Sequence, residues 1–311
     1  MLAILESLLP IFLLVALGWT INRAGLVAAA GWVAIERLSY FVFFPALLVS
    51  TLARADFASL NAGGVTLGFL AGFGIMLAAM AALRRPLQRA LALTPASFSS
   101  LYQTTTRWNA FIILAVVEKT FPPDALALVA IGIGILVIPI NIVNIAVVAA
   151  LGERAGPGPA LVRQIATNPL ILGVLAGLAI KLSGVAIYQP LGVALDLIAR
   201  ISLPMGLLIV GAGLRLQMPR QALAGVVAGT AIKLFAMPAV LAIAAYCFGV
   251  RGQDLAVIAL CGAGPSAMNG YLLAREMGGD APLYAAIVTL QTALSFVSLA
   301  VVLTLGRYLA G

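Results

Sequence analysis

Long apolar runs, each about the length of a bilayer crossing and parted by brief polar turns, make up almost the whole of this chain. A membrane span needs roughly 20 mostly apolar residues. Ten such runs can be drawn, at Leu2–Asn22, Trp32–Ala53, Leu60–Leu83, Ala96–Glu118, Asp124–Ala150, Leu161–Leu182, Pro190–Gly213, Ala222–Gly249, Asp254–Arg275 and Pro282–Arg307. Turn-forming residues such as Arg54-Ala55-Asp56 and Gly278-Gly279-Asp280 separate them. The pattern predicts an all-α membrane protein with ten transmembrane helices. The longest polar link, Gly152 to Pro159, falls at the midpoint and divides the chain into residues 1–151, a linker over 152–159 and residues 160–311.

The two halves resemble each other. At an offset of 159, Pro10 falls on Pro169, Gly18 on Gly177, Gly25 on Gly184 and Pro45 on Pro204. Ten of the 44 positions from Pro10 to Ala53 are identical at that offset. The count is modest in so apolar a chain. The shared prolines and glycines carry more weight, because they mark backbone features. From the third span the offset is 157, pairing Gly68 with Gly225, Gly72 with Gly229 and Ala110 with Ala267. Five spans per half is an odd number, so the second copy enters the membrane upside down. That is the inverted-repeat architecture of many secondary transporters. The glycine faces Gly64/Gly68/Gly72 and Gly225/Gly229 read as close helix packing.

Two spans are interrupted at matching places. The fourth carries Gln103-Thr104-Thr105-Thr106-Arg107-Trp108-Asn109, and the ninth carries Cys261-Gly262-Ala263-Gly264-Pro265-Ser266-Ala267-Met268-Asn269-Gly270. At offset 157 Trp108 falls on Pro265 and Asn109 on Ser266. Paired helix breaks at the bilayer midplane are where such transporters bind cargo. Non-helical backbone survives there only inside protein or beside a water-filled cavity. If both helices unwind, two half-helix N-termini point inward with free N–H groups that favour an anion, and Arg107 adds a full positive charge. A carboxylate complements that set. The candidate substrate-binding residues are Arg107, Asn109, Gly264, Pro265, Ser266 and Asn269, with Thr106, Trp108, Asn141 and Gln291 as secondary candidates. Asn109, Ser266 and Asn269 could each orient a ligand or cap a broken helix.

Composition agrees with a lipid solvent: 63% of the 311 residues are hydrophobic, 9% are charged, and mean hydropathy is +1.14. Soluble domains carry about a quarter charged residues. The net charge of +8 comes from single basic residues at the ends of apolar runs, with no basic stripe for nucleic acid. Arg23, Arg37, Arg84, Arg85, Arg89, Arg154, Arg163, Arg215, Arg220 and Arg275 collect on one side, against Arg54, Lys119, Lys181, Arg251 and Arg307 on the other. The richer side should be cytoplasmic, which puts both termini outside a cell (inner) membrane. The first run lacks a basic segment before it and a cleavage site after it, so it reads as a span and not a signal peptide. Cys247 and Cys261 read as small buried hydrophobes. The chain has no histidine, which removes most metal sites and the histidine-dependent intramembrane hydrolases, and no Gly-x-Gly-Asp motif is present. No cofactor or metal is expected, and the chain reads as a transporter and not an enzyme.

The other intramembrane polar residues are weaker signals. Asn141, Asn144, Gln291, Thr292 and Ser295 suit interhelical hydrogen bonds. Asp196 and Arg200, four apart, suit an ion pair on one helix face. Lys233 stands alone in the eighth span, lining a cavity or snorkelling. No acidic residue lies in either interruption, so coupling to Na+ or H+ is left open, as are the cargo's identity, the direction of flux and a homodimer.

The chain resembles the auxin efflux carrier family of permeases, related to the plant auxin exporters and to the bile-acid/sodium symporter-like superfamily. The resemblance rests on Leu9-Pro10-Ile11-Phe12, Phe43-Phe44-Pro45-Ala46-Leu47-Leu48, Arg107-Trp108-Asn109 and Gly264-Pro265-Ser266-Ala267 in that order. It implies ten spans in two inverted five-helix repeats. Spans one, two, six and seven would form a scaffold, and spans three to five and eight to ten a transport domain in which the fourth and ninth cross. It further implies an organic-anion permease working by an elevator motion, with the crossover residues at Asn109 and Pro265. Arg107-Trp108 before Asn109 and Ala110-Phe111 after it depart from the small residues of many relatives. A sodium-coupled symporter of the bile-acid type is the neighbouring alternative, and a transport-inactive sensor the more distant one.

Overall fold

The computed structural model describes residues 2–55, 61–153, 168–185, 187–215 and 222–310. Among them the chain is helical, with no strand. The helices are α1 (Leu2–Arg23), α2 (Ala29–Arg54), α3 (Ala62–Ala82), α4 (Arg84–Ala90), α5 (Pro95–Thr106), α6 (Ala110–Thr120), α7 (Ala125–Leu151), α8 (Pro169–Ser183), α9 (Gln189–Gly213), α10 (Leu223–Cys247), α11 (Gly252–Ala263), α12 (Asn269–Met277) and α13 (Ala281–Ala310).

Seven of these, α1, α2, α3, α7, α9, α10 and α13, are long and apolar enough to cross a membrane. The fourth and ninth predicted spans are each split in two, as α5/α6 and α11/α12. The sixth is seen from Pro169 onward as α8, a shorter apolar helix. Most of the central linker, with Arg154, lies outside the described residues, as do Arg163 and Arg220.

α2 and α10 each contain one wide π-helical turn, at Ser39–Phe43 and Ile232–Ala236. Both turns end two residues before a helical proline, Pro45 and Pro238. A proline ring crowds the carbonyl four residues back and offers it no amide. Widening the preceding turn relieves this, and the amides of Phe44 and Met237 bond five residues back, to Ser39 and Ile232.

Helices pack in two groups. In one, α1 lies along α9 and α2 lies against α8 and α9. In the other, α3 pairs with α10, α11 with α10 and α13, and α5 with α7 and α13. Small residues set the approach in both. A Cβ on Gly18 would collide with the Leu208 backbone, and one on Gly68 would stand 2.7 Å from the Ala245 Cα. The glycine stripe of α3 is therefore a packing surface. Within the first group, Asp196 of α9 accepts from Ser50 (2.8 Å) and pairs with Arg54 (2.7 Å), both on α2. This corrects the expected pairing of Asp196 with Arg200. The helix-spacing rule found a neighbour on the same helix, but the partner helix supplied a guanidinium and a hydroxyl together.

The two groups meet through aromatic contacts. Phe12 of α1 stands edge-on to Phe296 of α13 at 5.1 Å between ring centres. Phe111 of α6 lies 4.5 Å from Phe44 of α2 and fills the space beside Gly206 of α9.

Candidate functional site

Both interruptions are breaks of the backbone. α5 runs to Thr106, one turn further than the polar run suggests, and Arg107 then turns extended (φ −82°, ψ 160°). Helix resumes at Ala110, with Asn109 as its cap. α11 runs to Ala263, Gly264 is extended (φ −63°, ψ 144°), and helix resumes at Asn269. The cause in the second case is local: Pro265 cannot donate to the Cys261 carbonyl, and glycines at 262 and 264 weaken the helix before it.

The breaks touch. The Asn109 amide donates to the Pro265 carbonyl at 2.7 Å. The Ser266 hydroxyl donates to the Thr104 carbonyl and, at 3.3 Å, to that of Arg107. The Ser266 amide donates to Gln291 Oε1 (2.9 Å), while Gln291 Nε2 donates to the carbonyls of Thr104 (3.0 Å) and Gly229 (3.2 Å). One side chain of α13 thus ties α5, α10 and the second break together. Tyr284 donates to the Ala267 carbonyl at 2.5 Å and braces the far side of that break.

Arg107 is 6% exposed. Its guanidinium donates to Gln103 Oε1 (3.3 Å) and Asn141 Oδ1 (2.9 Å), both neutral. Thr106 reaches Asn144 Oδ1 at 3.1 Å. Among the described residues no carboxylate stands within ion-pair distance of Arg107. A buried cation held by amide oxygens alone keeps unspent attraction for an anion.

The expectation of free amides needs correction at the first break. Asn109 Oδ1 accepts from the amides of Phe111 (3.1 Å) and Ile112 (3.3 Å), so the asparagine is a helix cap. The Asn109 and Ser266 amides are also occupied. α12, by contrast, starts without a side-chain cap, and Arg107 supplies the charge for an anion.

The structure therefore gathers Thr106, Arg107, Asn109, Gly264, Pro265, Ser266, Asn141 and Gln291 around one crossing. Trp108 is half-buried, its ring centre 6.4 Å from that of Phe73. Asn269 is exposed at the start of α12, apart from the buried core of the crossing. Gln103 and Asn144 are crossing residues that the sequence did not single out as such. Each lies within a run that also suits plain helix packing, and its partner is remote or one turn away. Lys233 does not snorkel: it is wholly buried in the wide turn of α10.

These features define a multi-pass membrane transporter: residues 158–303 match the family model described as membrane transport protein. That model is of the auxin efflux carrier type, and the resemblance drawn from the short motifs is borne out by it over this half of the chain. No curated protein is similar enough to the chain to count as a match.

Proposed function

We propose that the protein carries a small organic anion, a carboxylate, across the cell membrane by alternating access, with the cargo bound at the crossing of the two broken helices. The observation that carries this reading is Arg107. It is a buried cation at the touching breaks, and its partners are amide oxygens. Burying an uncompensated charge costs several kcal/mol, so a chain that retains one needs a reason for it. A carboxylate arriving from the aqueous side would take two guanidinium donors in place of the weaker amide contacts.

The arrangement also supports ten crossings in two inverted five-helix repeats. The breaks at 107–109 and 264–266 keep the 157 offset. α1 lies on α9 and α2 on α8, pairing helices across the two halves. In this reading α1, α2, α8 and α9 form a scaffold. The group holding both breaks moves against it as an elevator, over the contacts of Phe111 with Phe44 and Gly206. The basic-residue bias then places both termini outside.

Binding of carboxylates to purified protein, read by thermal shift or calorimetry, tests the assignment. Wild-type protein should bind at least one mono- or dicarboxylate, and Arg107→Ala should weaken that binding by about a hundredfold, the equivalent of roughly 3 kcal/mol for a lost charged contact. Equal affinity in the variant would remove Arg107 from the site.

A further inference from the structure

One buried donor at the crossing goes unused. Gln103 lies on α5 one turn before Arg107 and is wholly buried. Its Oε1 accepts from Arg107 Nε at 3.3 Å. A guanidinium offers only hydrogens, so this contact settles which end of the amide faces it. The other end, Nε2, has no hydrogen-bond partner among the described residues. Buried polar groups are nearly always paired, so one left over by the protein calls for a partner from outside it.

Arg107 has a free arm beside it. Its Nε goes to Gln103 and its Nη1 to Asn141 at 2.9 Å, which leaves Nη2 without an acceptor among the described residues. Asn141 is half-buried, so the group sits at the edge of the packed core and is not sealed inside it. The two free arms are both donors, held close together by the 3.3 Å contact, and they differ in charge. The guanidinium matches a carboxylate. The amide matches a neutral carbonyl or hydroxyl oxygen. Lys233, the other buried cation among the described residues, makes no hydrogen bond to the crossing. A second carboxylate would therefore be buried with no cation to answer it.

We infer that the cargo is a monocarboxylate with a neutral oxygen on the carbon next to its carboxyl group, a 2-oxo or 2-hydroxy acid, and that Gln103 selects it. Arg107 Nη2 takes the carboxylate, and Gln103 Nε2 donates to the adjacent oxygen. Because the two donor groups are neighbours, the second oxygen must lie close to the first. The inference deepens the carrier reading and rests on it for the place of Arg107 in the site. The choice among carboxylates rests on the unpaired amide.

Calorimetric titration of the purified protein with pyruvate, propionate and malonate tests this. Pyruvate and propionate have the same carbon skeleton and differ in the 2-oxygen. A site that donates to that oxygen disfavours the analogue lacking it, because its own polar group is then left unpaired. Wild-type protein should bind pyruvate at least about tenfold more tightly than propionate, and malonate no more tightly than pyruvate. Gln103→Leu keeps the size of the side chain and removes the donor. It should bring the two monocarboxylates within about threefold of each other by losing affinity for pyruvate, with propionate unchanged. Equal wild-type affinities for pyruvate and propionate overturn the inference, since water then serves Nε2 just as well. So does a Gln103→Leu protein that keeps the preference, or one that loses both acids alike, which would make Gln103 a strut for Arg107. Malonate bound more tightly than pyruvate overturns it too, and each of these results leaves the carboxylate at Arg107 standing. Binding of none of the three overturns the inference, and the carboxylate reading falls with it only if Arg107→Ala and wild type also agree across a wider set of acids. The wild-type comparison needs no variant, so it decides the matter even if Gln103→Leu does not fold.

Discussion

Replacing Gln291 with leucine removes one side chain that three backbone groups share. Gln291 is fully buried, and its amide holds the Ser266 N–H and the carbonyls of Thr104 and Gly229 at 2.9, 3.0 and 3.2 Å. Interhelical hydrogen bonds inside membranes average about 0.6 kcal/mol, so three would give roughly 2 kcal/mol. The losses are unequal. Thr104 keeps the Ser266 hydroxyl as a donor, whereas the Ser266 amide is stranded beside a proline with no helical partner. A stranded buried amide costs about 1–3 kcal/mol. Leucine is close to glutamine in size, so little cavity penalty is added. The expected destabilisation is about 2–3 kcal/mol, a shift of roughly 30- to 150-fold in the unfolding equilibrium. Reversible unfolding in mixed micelles measures it, and Trp108 in the first break supplies a fluorescence report from the crossing itself. A loss below about 0.5 kcal/mol with an unchanged Trp108 spectrum would show that Gln291 does not hold the breaks together.

Three further outcomes follow from the packing. Pro265→Ala returns an amide to the Cys261 carbonyl and lets α11 continue, so uptake should drop while the protein stays folded; full activity in proteoliposomes would mean the break is dispensable. Gly68→Val should cost about 3 kcal/mol, because the new Cβ meets the Ala245 backbone. Gly74→Ala, in open space on the same helix, should be neutral or slightly stabilising on the same melting curve. Arg54→Ala should cost under about 1 kcal/mol despite the 2.7 Å pair with Asp196, since the two side chains are 55% and 28% exposed; a larger loss in melting would give that pair a role beyond the surface.

How much of this could be read from residue order depended on range. Proline and glycine marked the second break and a run of polar residues the first, so both positions were legible to within one helical turn. The glycine stripe at 64, 68 and 72 announced a close approach because only absence of a side chain permits one. Charge pairing was not legible. Asp196 had Arg200 one turn away, and nothing in the sequence reveals that Arg54 and Ser50 reach it from another helix. The state of the amides was hidden for the same reason. Whether a broken helix offers free N–H groups depends on side chains such as Gln291, 25 residues from Ser266 along the chain. Lys233 illustrates the limit most simply: a lone lysine in an apolar span is compatible with lipid headgroups or with the interior, and only packing chooses.

The wide turns ahead of Pro45 and Pro238 act as phase shifters. Each inserts about one residue into the helical count, which is roughly 100° of rotation. The stretch of α10 before its turn presents Gly225 and Gly229 toward α5 and α13, and the stretch after it presents Leu241 and Ala245 toward α3. One helix thereby faces two sets of neighbours in succession. Deleting a single residue between Ile232 and Ala236 would spin one contact set off its partner while leaving the composition of the span nearly untouched.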